Sequence, residues 1–386
     1  MKGSCKKKVL IVASVASMID QFTMPNIELL QKMGCEVHVA ANFEEGNTSS
    51  VDRVKQFQKV LEKLGVSYYH IGFSRNVTSI DRHLDAYKRV LKLLTDNEYD
   101  FIHCHSPIGG VIARLAAHKK KTPVVYTAHG FHFYRGAPLL NWVFYYPIER
   151  WLARYTDVLI TLNREDYFRA KSFKANTVEY IPGVGIDSHA IGAVEVDAET
   201  KRAELGISRD AFLLLSVGEL NVNKNHQAVI KAVAEMKDPS VHYVICGGGA
   251  LEDRLRNLAH QLGVGDRVHL IGFRTDVVQI AKSVDLFVFP SYREGLSLAL
   301  MEAMATGLPI VCSKIRGNVD LVDDGKGGFL VAPNDCSGFA EKIAMLRDNR
   351  SMQLEMGQYN RDKIKQFDLS NVDSKVRFLY RKLLGE

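Results

Sequence analysis

Two glutamates, a lysine and a histidine are the residues of this 386-residue chain best placed to do chemistry. In "FPSYREGLSLALMEAMATGLP", residues 289–309, Glu294 stands just ahead of an apolar helical run and Glu302 lies inside it. A carboxylate among apolar neighbours is costly unless something hydrogen-bonds to it. Gly295 is expected to open the helix, offering free amides to phosphate or sugar oxygens and leaving room for close approach. Glu302 would then lie on nearly the same face, about 10 Å further along the axis at 1.5 Å per residue. Two acids so placed suit hydroxyls at both ends of one elongated ligand, such as a nucleotide-sugar with its diphosphate between hexose and ribose. The bland alternative is a structural cation beside Glu302 and a surface position for Glu294.

In "SVGELNVNKNHQAVIKAV" a strand ends at Gly218 and a helix begins near Asn225, with Lys224 between them. A cation at the positive end of a helix dipole has the wrong sign unless an anion shares the place, so a phosphate is implied; a solvated loop lysine is the competing reading. "LIGFRTDV" sets Phe273 and Arg274 in a loop whose backbone suits a nucleobase, and the glycines of "CGGGA" read as a tight turn. "YTAHGFHFYRG" puts His129 directly after a strand, open equally to acid–base work or to satisfaction by the backbone. His103 and His105 of "FIHCHS" share a strand face, but no third ligand accompanies them, so no metal site is expected. Asp-x-Asp is missing, which leaves charge neutralisation to lysine, arginine and helix ends. No cofactor is expected, since the GxGxxG dinucleotide fingerprint does not occur.

Parallel strands are the elements that would hold these residues. Short β-branched runs alternate with amphipathic helical stretches almost from end to end, the pattern of a parallel sheet covered on both faces. The first half reads as strands at "KKVLIVAS", "CEVHVAA", "VSYYHIG", "DFIHCHS", "PVVYTAH" and "DVLITLN"; the second at "AFLLLSVG", "VHYVICGGG", "RVHLIGF", "DLFVFPS", "PIVCSK" and "GFLVAP". Periodicity lapses between 187 and 200. An α/β class of two doubly wound, Rossmann-like domains follows, with domains at 1–186 and 187–366 and a last segment, 367–386, crossing back to the first domain.

Composition is that of a soluble globular protein, 46% hydrophobic and 24% charged. The net charge of +6 sits in residues 1–195, which carry 25 Lys and Arg against 19 Asp and Glu. A negative membrane surface or a phosphorylated acceptor would suit that half, as would a plainly solvated surface. Cys5, Cys35, Cys104, Cys246, Cys312 and Cys336 have no paired spacing, which points to a reducing cytoplasm. No apolar run approaches about 18 residues, so neither a spanning helix nor a signal peptide is expected. Residues 137–155, "APLLNWVFYYPIERWLARY", combine aromatic and aliphatic residues with Arg150 and Arg154 as an interfacial helix would; core packing explains the pattern about as well.

Taken together, these stretches resemble the retaining glycosyltransferases of family four, whose GT-B fold sets two Rossmann-like domains across a cleft. The resemblance runs along essentially the whole chain. Its most specific element is the Glu-x7-Glu of "PSYREGLSLALMEAMATGLPIV", and "YTAHGFHFYRGAPLLNWVFYYPIERWLAR" with "SVGELNVNKNHQAVIKA" brings it nearest to bacterial members that build capsular and extracellular polysaccharide on a lipid carrier. It implies that Glu294 holds hydroxyls of the transferred sugar, Glu302 the ribose, Lys224 the diphosphate, the backbone at Gly295 and Leu296 sugar and phosphate, and the loop at Phe273 and Arg274 the base. His129 would approach the donor sugar near the reacting centre.

Two departures stand out. Glu219 occupies the place where many relatives have a phosphate-binding arginine, leaving Arg274, Arg293 and Arg316 as substitutes, and "SVASMIDQFTMP" lacks the glycine pair common after the first strand. The expected activity is transfer of a hexosyl or N-acetylhexosaminyl group, with retention and without metal, from a nucleoside diphosphate sugar, UDP-linked by resemblance, to a lipid-linked or saccharide acceptor. Peripheral attachment to the inner face of the plasma membrane is expected, and no nucleic-acid partner. The alternatives are an epimerase or hydrolase of the UDP-N-acetylglucosamine type and a non-catalytic sugar-nucleotide scaffold.

Overall fold

Short runs rich in aliphatic and β-branched residues form the strands, and the central ones are buried along all or nearly all of their length because helices cover both faces. The computed structural model describes residues 6–386 apart from 48 and 106, so Cys5 lies outside the described residues. The chain divides into two compact units, residues 1–185 with 370–386, and residues 186–369.

The first unit holds a seven-stranded parallel sheet of β1 (Lys8–Val15), β2 (Glu36–Asn42), β3 (Ser67–His70), β4 (Phe101–His105), β5 (Val124–Ala128), β6 (Val158–Thr161) and β7 (Thr177–Tyr180), in the order β3-β2-β1-β4-β5-β6-β7. β7 is a strand beyond the six expected. It pairs with β6 from Val158↔Thr177 to Thr161↔Tyr180. Its four residues are half-buried, and so it lacks the continuous apolar run that betrays its neighbours.

The second unit holds six parallel strands, β8 (Phe212–Val217), β9 (Val241–Cys246), β10 (Val268–Leu270), β11 (Leu286–Phe289), β12 (Ile310–Ser313) and β13 (Gly328–Val331), in the order β10-β9-β8-β11-β12-β13. Separate apolar clusters fill the two faces of this sheet. Both sheets are doubly wound and Rossmann-like. The strand order reverses once in each, between β1 and β4 in the first and between β8 and β11 in the second. Ligands of open parallel sheets bind beyond the carboxyl ends of the strands at that reversal.

Six helices bear on function: α1 (Ile80–Asp96), α2 (Ile108–Lys120), α3 (Leu139–Leu152), α4 (His226–Met236), α5 (Leu298–Thr306) and α6 (Leu369–Leu384). α6 is amphipathic, burying Val372, Val376, Leu379, Tyr380 and Leu384 at helical spacing. Tyr380 carries the polar tie. The Asn26 amide donates to its hydroxyl at 2.8 Å, which leaves the hydroxyl proton for His103 Nδ1 at 2.7 Å. The ring proton of His103 then sits on Nε2, facing Thr127 Oγ1 at 2.8 Å.

Tyr380→Phe keeps the ring contacts and removes only the hydroxyl, so two buried polar groups lose their partner. The expected loss is about 1–3 kcal/mol, read as a lower urea midpoint with an unchanged slope. An unaltered midpoint would show that the hydroxyl does not hold α6 in place.

Candidate active site

Two loops flank the sheet reversal of the second unit, residues 218–225 after β8 and residues 290–297 after β11. They are bonded to each other. Tyr292 N donates to Asn223 O at 2.8 Å, Asn223 Nδ2 donates to Arg293 O at 3.0 Å, and buried Asn225 gives its amide to Pro290 O and to Pro333 O. Asn225 adopts a left-handed conformation (φ 53°), tolerated by this side chain better than by most, and α4 starts at the next residue.

Those bonds bring the two charged candidates together. Lys224 Nζ lies 2.8 Å from Glu294 Oε1, with 20% and 13% of the side chains exposed, and the ammonium stands 4.8 Å from the centre of the Phe289 ring. Sequence reasoning assigned the two residues to different parts of a ligand and missed that they pair in its absence. The second oxygen of Glu294 accepts no hydrogen bond from a described residue. It is available to a hydroxyl.

The helix expected to open at Gly295 begins at Leu298 instead. Ser297 caps it, its Oγ accepting from Leu300 N at 3.3 Å. Gly295 and Leu296 therefore belong to the preceding loop, which lengthens the stretch between Glu294 and the helix that carries Glu302. The N–H groups of Gly295 and Leu296 donate to no described residue, which preserves the anion-facing character by another route. Glu302 sits on the half-exposed face of α5 with Leu298, Ala299 and Thr306. It makes no hydrogen bond or ion pair with any described residue, and burial raises its carboxyl pKa.

The three arginines that stand as substitutes for the cation missing at Glu219 have different surroundings. Arg274 is clamped by Asp276, at 2.7 and 2.6 Å, and by Glu204 at 2.6 Å, so its guanidinium is committed to carboxylates. Arg293 is exposed. Arg316 is buried, and its Nε donates to Glu294 O at 3.3 Å. The next residue, Gly317, has φ 83° and lies so close to Gly295 that a Cβ would come within 2.3 Å of the Gly295 carbonyl. Only glycine permits that approach. Phe273 is 83% exposed in the loop after β10, which bonds to the "CGGG" loop through Gly247 N and Gly272 O at 2.8 Å. The glycines there serve packing: a Cβ on Gly247 would strike Gly218 O, and one on Gly249 would strike Leu220 O.

In the first unit, β4 and β5 end in a row of histidines. The His103 and His105 rings are 4.4 Å apart, and His105 Nδ1 lies 3.0 Å from His129 Nε2. The partnership of His105 with His129 was not foreseen, although the strand register sets His105 beside Thr127, two residues before His129. Burial lowers the His129 pKa to about 4 and that of His103 to about 3, so these rings are neutral at physiological pH.

The first unit thus carries neutral imidazoles at the carboxyl edge of its sheet, and the second carries an ammonium–carboxylate pair with free loop amides at its strand reversal. Residues 197–363 match the glycosyl transferases group 1 model and residues 19–183 the glycosyl transferase 4-like domain. The chain is 36% identical over 382 residues, 97% of its length and 96% of the relative's, to EpsD of Bacillus subtilis, named there as a glycosyltransferase. It is 31% identical over 316 residues, 79% of this chain and 81% of the other, to an Escherichia coli UDP-Gal:alpha-D-GlcNAc-diphosphoundecaprenol alpha-1,3-galactosyltransferase. The fold matches Anabaena HepE, solved with UDP-glucose, at a TM-score of 0.78 with 19% identity, covering 97% of this chain and 99% of that one. The chain belongs to the group 1 glycosyltransferases, the enzymes with the GT-B architecture of paired Rossmann-like domains.

Glu302→Gln keeps the shape and removes the charge. A carboxyl whose folded pKa is raised costs nothing below its unfolded value and most above its folded value. The variant should therefore melt higher than the wild type at pH 8, by a margin that shrinks as the pH falls and vanishes below about 4. Equal melting temperatures across that range would show that Glu302 is compensated.

Proposed function

We propose that the protein transfers a hexosyl or N-acetylhexosaminyl group, with retained anomeric configuration, from a UDP-linked sugar to a saccharide carried on a lipid diphosphate. The observation that carries this reading is the Lys224–Glu294 pair beside the unoccupied amides of Gly295 and Leu296. A diphosphate drawing on Lys224 and those amides frees Glu294 to accept hydroxyls of the sugar, while Glu302 receives the ribose and the exposed loop at Phe273 and Arg274 receives the base. Arg316, anchored to the Glu294 backbone, supplies the second cation.

The chemistry is loss of a diphosphate from a carbon that becomes electron-poor. Fixed donors aimed at the departing oxygens stabilise that charge most where water is scarce. Lys224 and the loop amides meet the demand, and the reading needs no metal. Glu294 acts by holding hydroxyls and not as a covalent nucleophile; the leaving phosphate assists the incoming hydroxyl on the same face. His129, neutral and close to the end of β5, approaches the donor sugar and donates to or accepts from its hydroxyls.

A lipid-linked acceptor is supported by the relative that acts on a diphosphoundecaprenol-linked sugar and by α3. Of its fourteen residues only Leu152 is buried, while Leu139, Leu140, Val143 and Phe144 are each more than half exposed. Core packing, the rival reading of this segment, does not account for those four. Peripheral binding at an anionic membrane, with synthesis of a surface polysaccharide, follows from the same face and the basic first half. No described helix is long and apolar enough to cross a membrane.

Melting curves across a panel of nucleoside diphosphate sugars test the donor assignment, because a ligand bound to the native state raises the midpoint by mass action. UDP-sugars should raise it, and Glu294→Ala should cut sugar transfer to a lipid-diphosphate acceptor by about 100-fold or more, within the range for removing an electrostatic group from a transition state. Transfer should persist in EDTA. Near wild-type turnover by Glu294→Ala would overturn the role given to that residue, and sugar release without any acceptor would turn the reading toward a hydrolase.

A further inference from the structure

A cavity of about 1040 Å³ in the first unit is a groove that the donor-binding reading does not use. Its floor is a half-exposed stripe of α2, Ile108, Val111 and Leu115, at the i, i+3, i+7 spacing that normally faces a core. Leu84 and Tyr87 of α1 form one wall; Ile148 and Trp151 of α3 form the other. Leu84 is 53% exposed and Trp151 45%. Apolar surface of this extent on a compact unit marks a binding site more often than a packing fault.

The ends of the groove differ. One reaches Gly130 and His132, immediately after His129, and also takes in Arg75. The other reaches His118 and Lys119 at the carboxyl end of α2, where Lys120 and Lys121 follow. α2 is 13 residues long, about 20 Å at 1.5 Å per residue, and the stripe from Ile108 to Leu115 covers about 10 Å of it. The one acidic residue in the lining, among the described residues, is Glu149; Arg114 neutralises it within the unit at 2.9 Å, and it accepts from the Tyr126 hydroxyl at 2.8 Å. An apolar channel with no uncompensated acid, and a cation at each end, complements a hydrocarbon chain bearing an anionic head.

We infer that this groove holds the head-proximal part of the hydrocarbon tail of an anionic lipid acceptor, with the phosphate end at Arg75 and His132 beside the His129 loop. The inference rests on the lipid-linked acceptor proposed above and deepens it. Seating the tail against protein fixes the acceptor saccharide at a set distance from the loop, where a tail left wholly in the bilayer would not.

The chain has two tryptophans, and they make the groove observable. Trp151 lines it, whereas Trp142 packs against the core with Arg169 over its ring. Farnesyl phosphate, kept below its aggregation concentration, should give a saturable blue shift of the emission that disappears in Trp151→Phe. Leu84→Glu, a change at an exposed wall position, should weaken that response at least ten-fold while the melting shift given by UDP-sugars is retained. An equal response to inorganic diphosphate, or a response to phosphatidylglycerol vesicles with none to monomeric farnesyl phosphate, would overturn the inference in favour of a free anion or a membrane surface. No response, with sedimentation showing a dimer, would overturn it in favour of a second copy of the chain. A protein that transfers sugar but ignores farnesyl phosphate loses the groove and keeps the activity; one that binds farnesyl phosphate but no nucleoside diphosphate sugar loses the activity.

Discussion

The candidate site of the second unit depends on one ion pair at the point where a parallel sheet reverses its strand order. An ammonium placed ahead of a helix N-terminus is repelled by the dipole, and a carboxylate with 13% of its side chain exposed has lost much of its hydration. Lys224 and Glu294 each remove the other's penalty at 2.8 Å. Their loops follow β8 and β11, the adjacent strands that wind away from each other, and only at such a reversal do two loops diverge enough to leave a crevice between them. Asn223 and Asn225 then fix the separation through backbone carbonyls, so the pair is held by hydrogen bonds that do not involve the charges themselves.

That arrangement stores binding capacity without leaving a bare charge. A ligand bearing both a diphosphate and hydroxyls offers each partner something better matched than the other: anionic oxygens for the lysine and hydroxyl donors for the glutamate. A ligand bearing only one of them would have to break the pair and leave one side buried alone, which is costly. Such a pair would therefore favour a ligand carrying both groups over one carrying either alone. Glu302 is handled differently, since no described residue compensates it and its carboxyl is pushed toward the neutral form. His103 and His129 of the first unit are neutral because burial lowers their pKa, and so contribute hydrogen bonds instead of charge.

Much of this was legible in the sequence because parallel strands buried on both faces must be written as uninterrupted apolar runs. β8 and β11 of the second unit announce themselves in that way, and the residues that follow them include Lys224 and Glu294. β7 escaped because an edge strand with half-buried residues has no such run. The start of α5 was misplaced because glycine was read as the opening residue, when the cap is Ser297 two positions on; a serine three residues ahead of Leu300 was the available signal. The contact between Lys224 and Glu294 spans 70 residues, and that between His105 and His129 joins neighbouring strands. Neither has a local signature. Gly317 is similar: its reason for being glycine is the carbonyl of Gly295, which no window around residue 317 contains.

The apolar groove was illegible for a deeper reason. The i, i+3, i+7 stripe of α2 reads as an ordinary core face, and it is the surroundings that fail to close over it. A unit folding for stability alone would gain roughly 25 cal/mol for each Å² of that surface it covered. α1 and α3 lie on either side, yet Leu84, Ile148 and Trp151 stay substantially exposed, and α3 turns Leu139, Leu140, Val143 and Phe144 outward as well. α3 is tied through Trp142, Tyr145 and Tyr146, which pack against the core, and through Glu149, whose carboxylate holds both the fully buried Arg114 and the Tyr126 hydroxyl. Breaking one member of such a buried set leaves the others unpaired, so the polar tie resists any shift of α3. The groove thus lies beside a buried charge network, and its exposed apolar lining forgoes the stability that covering it would supply.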